Sequence, residues 1–323
     1  MRHSVIGIAV GLGLATLAAG CAGAPDLSPA ARPLSKSTMM QLGKMGINPG
    51  APMFVRIFKE ESELEVWKQR DDGRFYHFKT YPICNWSGTL GPKLKQGDRQ
   101  APEGFYTVSK DQMNPNSQFY LAFNVGFPNA YDRVNGRTGS ALMVHGKCKS
   151  AGCYAMTDAL IEEIYALARE SFDAGHPSFD VHAYPFRMTE ANMARHRSSK
   201  WYDFWQIMKA GYDTFETTHV PPPITVCARQ YQVNAKPVRT VANSVDPASN
   251  CPPLERPIVE PFIPRGDQQV AQSKLVAPGP KRRTAIASEA TTSPQSSSSG
   301  GMYGLLKGMM APSRPQGFAF GSQ

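Results

Sequence analysis

The chain lacks an apolar run long enough to span a bilayer. Its longest, Val5 to Ala19, falls short of the roughly 20 residues a helix needs to cross the hydrocarbon core. It also lacks an aromatic platform motif, and its 35 Lys and Arg are scattered among 26 Asp and Glu. A high pI without stacking residues is a weak footprint for nucleic acid. Attraction to anionic polymers or lipid headgroups is the simpler consequence of a net charge of +9. Apolar residues are scarce at the C-terminal end. From Lys236 to Gln323 there are ten Lys and Arg, five Asp and Glu, and much Pro, Ser and Gln. Such a segment, carrying +5 of the net charge, buries too little to fold alone and reads as a disordered basic tail. Within it, Gly304–Met310 is a candidate docking segment.

What is present begins with an export pattern. Arg2 and His3 precede the apolar run, small residues follow it, and Leu17-Ala-Ala-Gly-Cys21 resembles a bacterial lipobox. Residues 1–20 are expected to be a signal peptide and Cys21 the lipidated residue. Ala18 stands where Leu or Val is commoner, so plain cleavage near Ala22 is the other reading. Residues 21–50, rich in Ala, Pro and Ser, read as a tether.

From Met53 the texture changes. Met53–Phe58, Glu63–Trp67 and Arg74–Phe78 alternate with the strand period and are split by turn residues. Gly104–Val108, Phe119–Asn124 and Ala141–His145 add strand signals, and Thr225–Val233 suggests one more. Leu160, Ile161, Ile164, Leu167 and Ala168 recur at helical steps behind Thr157, a suitable N-cap. Further helices are expected through Glu190–Met193 and Trp201–Met208. The expected fold class is β-rich α+β, a mixed or antiparallel sandwich-like core with helices packed on it. Its parts are a catalytic domain over 51–190, an extension over 191–235 and the tail over 236–323.

Chemistry concentrates between Val144 and Met156. His145 lies eight residues before Cys153, which follows Gly152 and precedes the helix of Thr157. A thiol just ahead of a helix N-terminus, with an imidazole in reach, is expected to ionise below its free pKa and act as a nucleophile. Gly152 permits the sharp turn that aims backbone N–H groups at one point.

The pattern His145-Gly-x-x-x-Ser150-x-Gly152-Cys153-x-x-Met156 resembles the catalytic signature of the L,D-transpeptidase (YkuD-domain) family, and in particular its YafK-like branch. Two further stretches match, Gly97-Asp-x-x-Ala-Pro-Glu-Gly-Phe-Tyr106 and Asn129-Ala-Tyr-Asp-Arg-x-x-Gly-Arg-Thr-Gly139. The likeness covers about residues 52 to 210. It implies a peptidoglycan-acting acyltransferase with no cofactor and no metal; the export pattern, separately, is expected to place it in the cell envelope, periplasmic and anchored to a membrane by lipid. Cys153 would attack a stem-peptide carbonyl with His145 as base. Gly152, with Cys153 and Ala151, would supply oxyanion N–H groups, and Ser150 would hold the loop. Arg133 and Arg137, with Tyr131, are candidates for substrate binding, the arginines through a substrate carboxylate. Many members carry Ser-His-Gly-Cys and a polar residue two places on, where this chain has Ser150-Ala-Gly-Cys-Tyr-Ala155. That departure matches a branch associated with release of lipoprotein from the wall, so a hydrolase is the close alternative. A non-catalytic peptidoglycan-binding lipoprotein is the second.

Six cysteines complete the inventory. Beyond Cys21 and Cys153 there remain Cys84, Cys148, Cys227 and Cys251, which allow three pairings. Cys227–Cys251 is the favoured disulfide because it would pin the Pro-rich segment to the core. Cys148 is expected to be unpaired and buried, with a Cys148–Cys153 bridge that locks the nucleophile as the other possibility. Zinc on His145, Cys148 and Cys153, completed by His182 or Cys84, is a minor rival.

Overall fold

The computed structural model describes residues 27–238 and 245–264. The expected signal peptide, Cys21 and most of the tail lie outside the described residues. The chain is β-rich, with two mixed five-stranded sheets. The first starts as a meander of β1 (Met53–Phe58), β2 (Glu63–Gln69) and β3 (Phe75–Pro82). It is completed by β5 (Gly104–Ser109) and β10 (Ser178–Tyr184), in the order β3-β2-β1-β10-β5. β1 and β10 run parallel, and the other neighbours are antiparallel. The second sheet has the order β4-β9-β8-β7-β6. Its strands are β4 (Asn85–Trp86), β6 (Met113–Ser117), β7 (Tyr120–Asn124), β8 (Met143–His145) and β9 (Tyr154–Ala155). Only β8 and β9 are parallel in it.

All six residues of β1 are buried because the first sheet is covered on both faces. Val55 and Ile57, one step of two apart, enter a core with Phe123, Val144 and Tyr154 of the second sheet. Ile161, Ile164 and Leu167 of α3 (Asp158–Asp173) fill the same core. Thr157 caps α3 by accepting the Leu160 N–H. On the opposite face Phe58, Phe105 and Tyr184 pack with Trp205, Met208 and Tyr212 of α5 (Tyr202–Thr218). Gly211 lets α5 approach this closely, since a Cβ there would lie 2.7 Å from the Phe105 ring. Arg56, also on that face, survives burial by bonding Glu65 at 2.9 and 2.7 Å and Glu216 at 2.5 Å.

Four departures from the sequence reading have physical causes. The tether is folded from residue 29: α1 (Lys36–Lys44) is capped by Ser35 and buries Leu42, with Ile47 just beyond. Thr38 bonds Glu163 at 2.6 Å, so α1 is fastened to α3. The strand expected over 225–233 is a hairpin, β11 (Ile224–Cys227) and β12 (Gln230–Val233), turned by Ala228 and Arg229 at φ +49° and +59°. The boundary placed at 236 falls inside packed chain. Cys227–Cys251 is a disulfide, β13 (Lys236–Pro237) pairs β14 (Leu254–Glu255), and Phe262 stacks on His219 with ring centroids 3.8 Å apart. Finally β10, an interior strand between β1 and β5, is absent from the sequence reading. Phe179, Val181 and Ala183 supply its alternation.

Candidate active site

His145 ends β8, and Cys153 immediately precedes β9. The register places Val144 opposite Tyr154 and His145 opposite Ala155. Val144 and Tyr154 are fully buried in the core, so the residues flanking them point to the other face of the sheet. His145 and Cys153 therefore share that face, one two-residue step apart on adjacent strands, a diagonal of roughly 8 Å between Cα atoms from ordinary strand spacings. His145 Nδ1 faces the Gly146 carbonyl at 2.7 Å. A carbonyl only accepts, so Nδ1 carries the proton and Nε2 keeps its lone pair for use as a base. Phe119 lies against the ring at 4.7 Å. Burial pushes the His145 pKa down, the Gly146 carbonyl opposing it, which keeps the ring neutral.

Cys153 is a free cysteine, half-buried. Its Sγ accepts the Met143 N–H at 3.4 Å and lies 3.7 Å from the Ala141 carbonyl. The expectation of a depressed thiol pKa is not met. Burial pushes it up, against the smaller pull of the Met143 N–H and the Lys93 ammonium. The reason is that β9 intervenes before α3. The first turn of α3 serves the His145 end of the loop instead, where Asp158 accepts the Lys147 N–H at 2.8 Å. The resting pair is thus a neutral thiol and a neutral imidazole, with proton transfer left to the moment of attack.

The connecting loop is tightly determined. A Cβ on Gly146 would lie 2.5 Å from Asp158 Oδ1 and 2.8 Å from the Phe119 carbonyl, so only glycine fits after the histidine. Gly152 has φ +126°, which L side chains rarely adopt. Ser150 holds the turn as expected, donating to the Cys153 carbonyl at 2.7 Å. Its hydroxyl also accepts the N–H groups of Cys153 at 3.1 Å and Gly152 at 3.3 Å. The two donors assigned to the oxyanion hole are therefore turned onto Ser150, and an oxyanion reaches them only by sharing or displacing that hydroxyl. Ala151 N–H has no partner among the described residues. Cys148 is neither unpaired nor buried, nor is it bridged to Cys153: it is exposed and disulfide-bonded to Cys84. That bond removes two thiolates from the zinc alternative. His182 stands apart in β10, its ring between those of Phe54 and Phe105.

The three substrate-binding candidates have other duties. Arg137 is buried and bonded to the fully buried Asp132 at 2.9 Å, its guanidinium over the Tyr131 and Phe204 rings. Tyr131 stacks on Tyr231 with centroids 4.2 Å apart. Arg133 is exposed and donates to the Pro128 carbonyl. It lines a cleft of about 490 Å³ with Asp180 and Tyr231 that contains neither His145 nor Cys153. The second motif is thus a structural turn, in which Asn129 and Asp132 form a capping box on α2 (Ala130–Val134).

The first motif serves the site indirectly. Glu103 and Lys59 are both fully buried and bonded at 2.9 Å. Glu103 also accepts from Gly91 N–H and Trp205 Nε1, and Lys59 donates to the carbonyls of Thr89, Gly91 and Ala101. This knot fixes the loop of residues 88–103. Asp98 caps its tip through the N–H groups of Leu94, Lys95 and Gln100 and through Lys93. The Gln100 carbonyl comes within 3.7 Å of where a Gly152 side chain would start, so the loop forms one wall of the site. Lys93, buried and acting on Cys153, was missed in the sequence, where nothing links residue 93 to residue 153.

The family model of the L,D-transpeptidase catalytic domain (YkuD) matches residues 53–177. YafK, a candidate L,D-transpeptidase of Escherichia coli K12, is 45% identical over 213 residues, 66% of this chain and 84% of YafK. The chain belongs to the L,D-transpeptidase family. YafK of Escherichia coli O157:H7 matches to the same extent. Among solved structures, the helical cell shape determining protein Pgp2 of Campylobacter jejuni is similar at 20% identity and a TM-score of 0.34, over 55% of this chain and 65% of that one. Bd1075 of Bdellovibrio bacteriovorus follows at 19% identity and 0.29, over 52% and 59%. The matched segment holds both His145 and Cys153, which the chain places on one face of adjacent parallel strands.

Proposed function

We propose that this protein is a peptidoglycan-acting cysteine acyltransferase of the L,D-transpeptidase type. The observation that carries the reading is the shared face of His145 and Cys153, with His145 Nδ1 committed to Gly146 and Nε2 left to act. Cys153 attacks a stem-peptide carbonyl as His145 takes the thiol proton, and the tetrahedral oxyanion is met by N–H groups of the 151–153 turn. Collapse expels the leaving amine, protonated by His145, and leaves a thioester on Cys153. An incoming amine then gives His145 its proton as it attacks the thioester; the C–S bond breaks, and the departing Cys153 thiolate takes that proton back from His145, restoring the neutral pair.

Stem peptides carry free carboxylates. Lys95 and Arg99 on the wall loop and Lys149 on the nucleophile loop are exposed and have no ion-pair partner among the described residues, which suits such a substrate. Hydrolysis of stem peptides or wall-linked lipoprotein is the second reading, favoured by Ala155, fully buried where many other members place a polar residue. An exported protein lipidated at Cys21 fits a substrate in the envelope.

Mass spectrometry of the protein incubated with defined muropeptides, with and without an acceptor stem, tests the reading. A Cys153 thioester that proceeds to cross-linked product is expected. Shortened or detached peptides at high acceptor concentration would establish the hydrolase, and no adduct would remove both.

A further inference from the structure

The loop from His145 to Cys153 runs through two consecutive L residues in the left-handed region, Lys147 at φ +62° and Cys148 at φ +47°. Non-glycine residues stay there only when their surroundings over-determine them. Three restraints do so. Lys147 N–H is bonded to Asp158, Cys148 N–H donates to the Met156 carbonyl at 3.1 Å, and Cys148 is bridged to Cys84, 64 residues away. Cys84 N–H in turn donates to the Ala155 carbonyl at 3.0 Å. Both ends of the disulfide are therefore tied to consecutive carbonyls of the segment that runs on from Cys153. Without the bridge, that side of the loop keeps only non-covalent ties: the two backbone bonds to Ala155 and Met156, the two-residue β4–β9 pairing and a Ser87–Ser150 hydroxyl contact at 3.4 Å.

We propose that Cys84 and Cys148 are positioning residues for the reaction: their disulfide holds the loop so that Cys153 is presented to His145. The protein then works only with one cysteine pair oxidised and a third cysteine, five residues further on, reduced. The bridge does not compete with the nucleophile. It sits beside Ala155 and Met156, whereas Cys153 lies at the other end of β9 beside Met143. The inference rests on Cys153 being the nucleophile, but not on any particular substrate.

The test compares full-length wild type with the double variants Cys84→Ser/Cys148→Ser and Cys227→Ser/Cys251→Ser. The pH dependence of Cys153 alkylation by iodoacetamide, read by mass, needs no substrate; muropeptide turnover is measured beside it. Cys84→Ser/Cys148→Ser is expected to change the alkylation pH profile and to lower kcat at least tenfold, with KM within about twofold and unchanged far-UV circular dichroism. Cys227→Ser/Cys251→Ser should change neither. If the first variant does not fold, folded wild type is treated with a phosphine reductant and then reoxidised. Reversible loss of alkylation control, absent from the second variant under the same treatment, is then expected. A kcat within twofold and an unaltered profile, or equal losses in both variants, would overturn the proposal. Should wild type alkylate normally yet turn over no muropeptide, the substrate reading fails while the profile still decides the role of the bridge.

Discussion

The chemistry rests on a pair that is neutral at rest. His145 has a lowered pKa, so its base function persists below the ordinary histidine value of about 6.5 and is lost as pH falls through the lower folded value. Acylation should therefore hold from pH 7 to about pH 6.5. A pH–rate profile with its acid limb above 7 would contradict this. The raised thiol pKa predicts that alkylation of Cys153 is still accelerating at pH 9. Cys153→Ala should abolish the adduct with the fold unchanged, and His145→Ala should slow acylation by about 10²–10⁴-fold, as loss of a general base does. The arginines separate structure from recognition. Arg137→Ala strands the buried Asp132 and should cost about 3–5 kcal/mol in urea unfolding. Arg133→Ala, at an exposed site, should stay within about 0.5 kcal/mol. Equal small effects would return Arg137 to the list of free cations.

At the scale of elements, segments that look expendable are fastened to the core. Leu42 of α1 is fully buried, and Leu42→Ala should cost about 2–5 kcal/mol. A stability loss under 1 kcal/mol would mean that α1 is a loose tether after all. At the other end, a chain stopped after 235 loses Cys251, the β13–β14 pairing and the Phe262 ring on His219. It should melt lower than a chain stopped after 264; coincident melting curves would place the boundary at 236. The strands of the meander were legible because their alternation is local and their turns carry Asp, Gly or Ser. β4, β9 and α2, of two to five residues, are too short to show any period.

The whole molecule buries two histidines on the side of the first sheet covered by α5, within one aromatic cluster of Phe54 and Phe215. The pKa of His182 is lowered by burial to about 3 and that of His219 to about 4. Each stays neutral in the fold while the unfolded chain takes up a proton below about pH 6.5, so this stabilisation is present above that value and lost on acidification. Glu65, held at about 2 by Arg56 and Arg187 against the cost of burial, adds a second loss as pH falls below the ordinary carboxylate range. Melting temperature should decline from pH 7 towards 4, and His182→Phe, compatible with the Phe54 and Phe105 rings around it, should flatten the decline. An unchanged slope would show that His182 does not contribute.

The closeness of His145 and Cys153 in one short segment, the glycine turn, the meander and the Thr157-capped helix follow from the sequence by itself, because each depends on neighbours within a few positions. Tertiary structure alone decided that Cys148 meets Cys84, that Arg137 turns inward to Asp132, and that Lys93 acts on Cys153. It also seated β10 between β1 and β5 and laid the loop of residues 88–103 against Gly152. These are outcomes of strand pairing and of groups meeting partners across about 50 or more residues, or of a helix face choosing solvent or core. Composition and alternation do not encode which distant segment arrives.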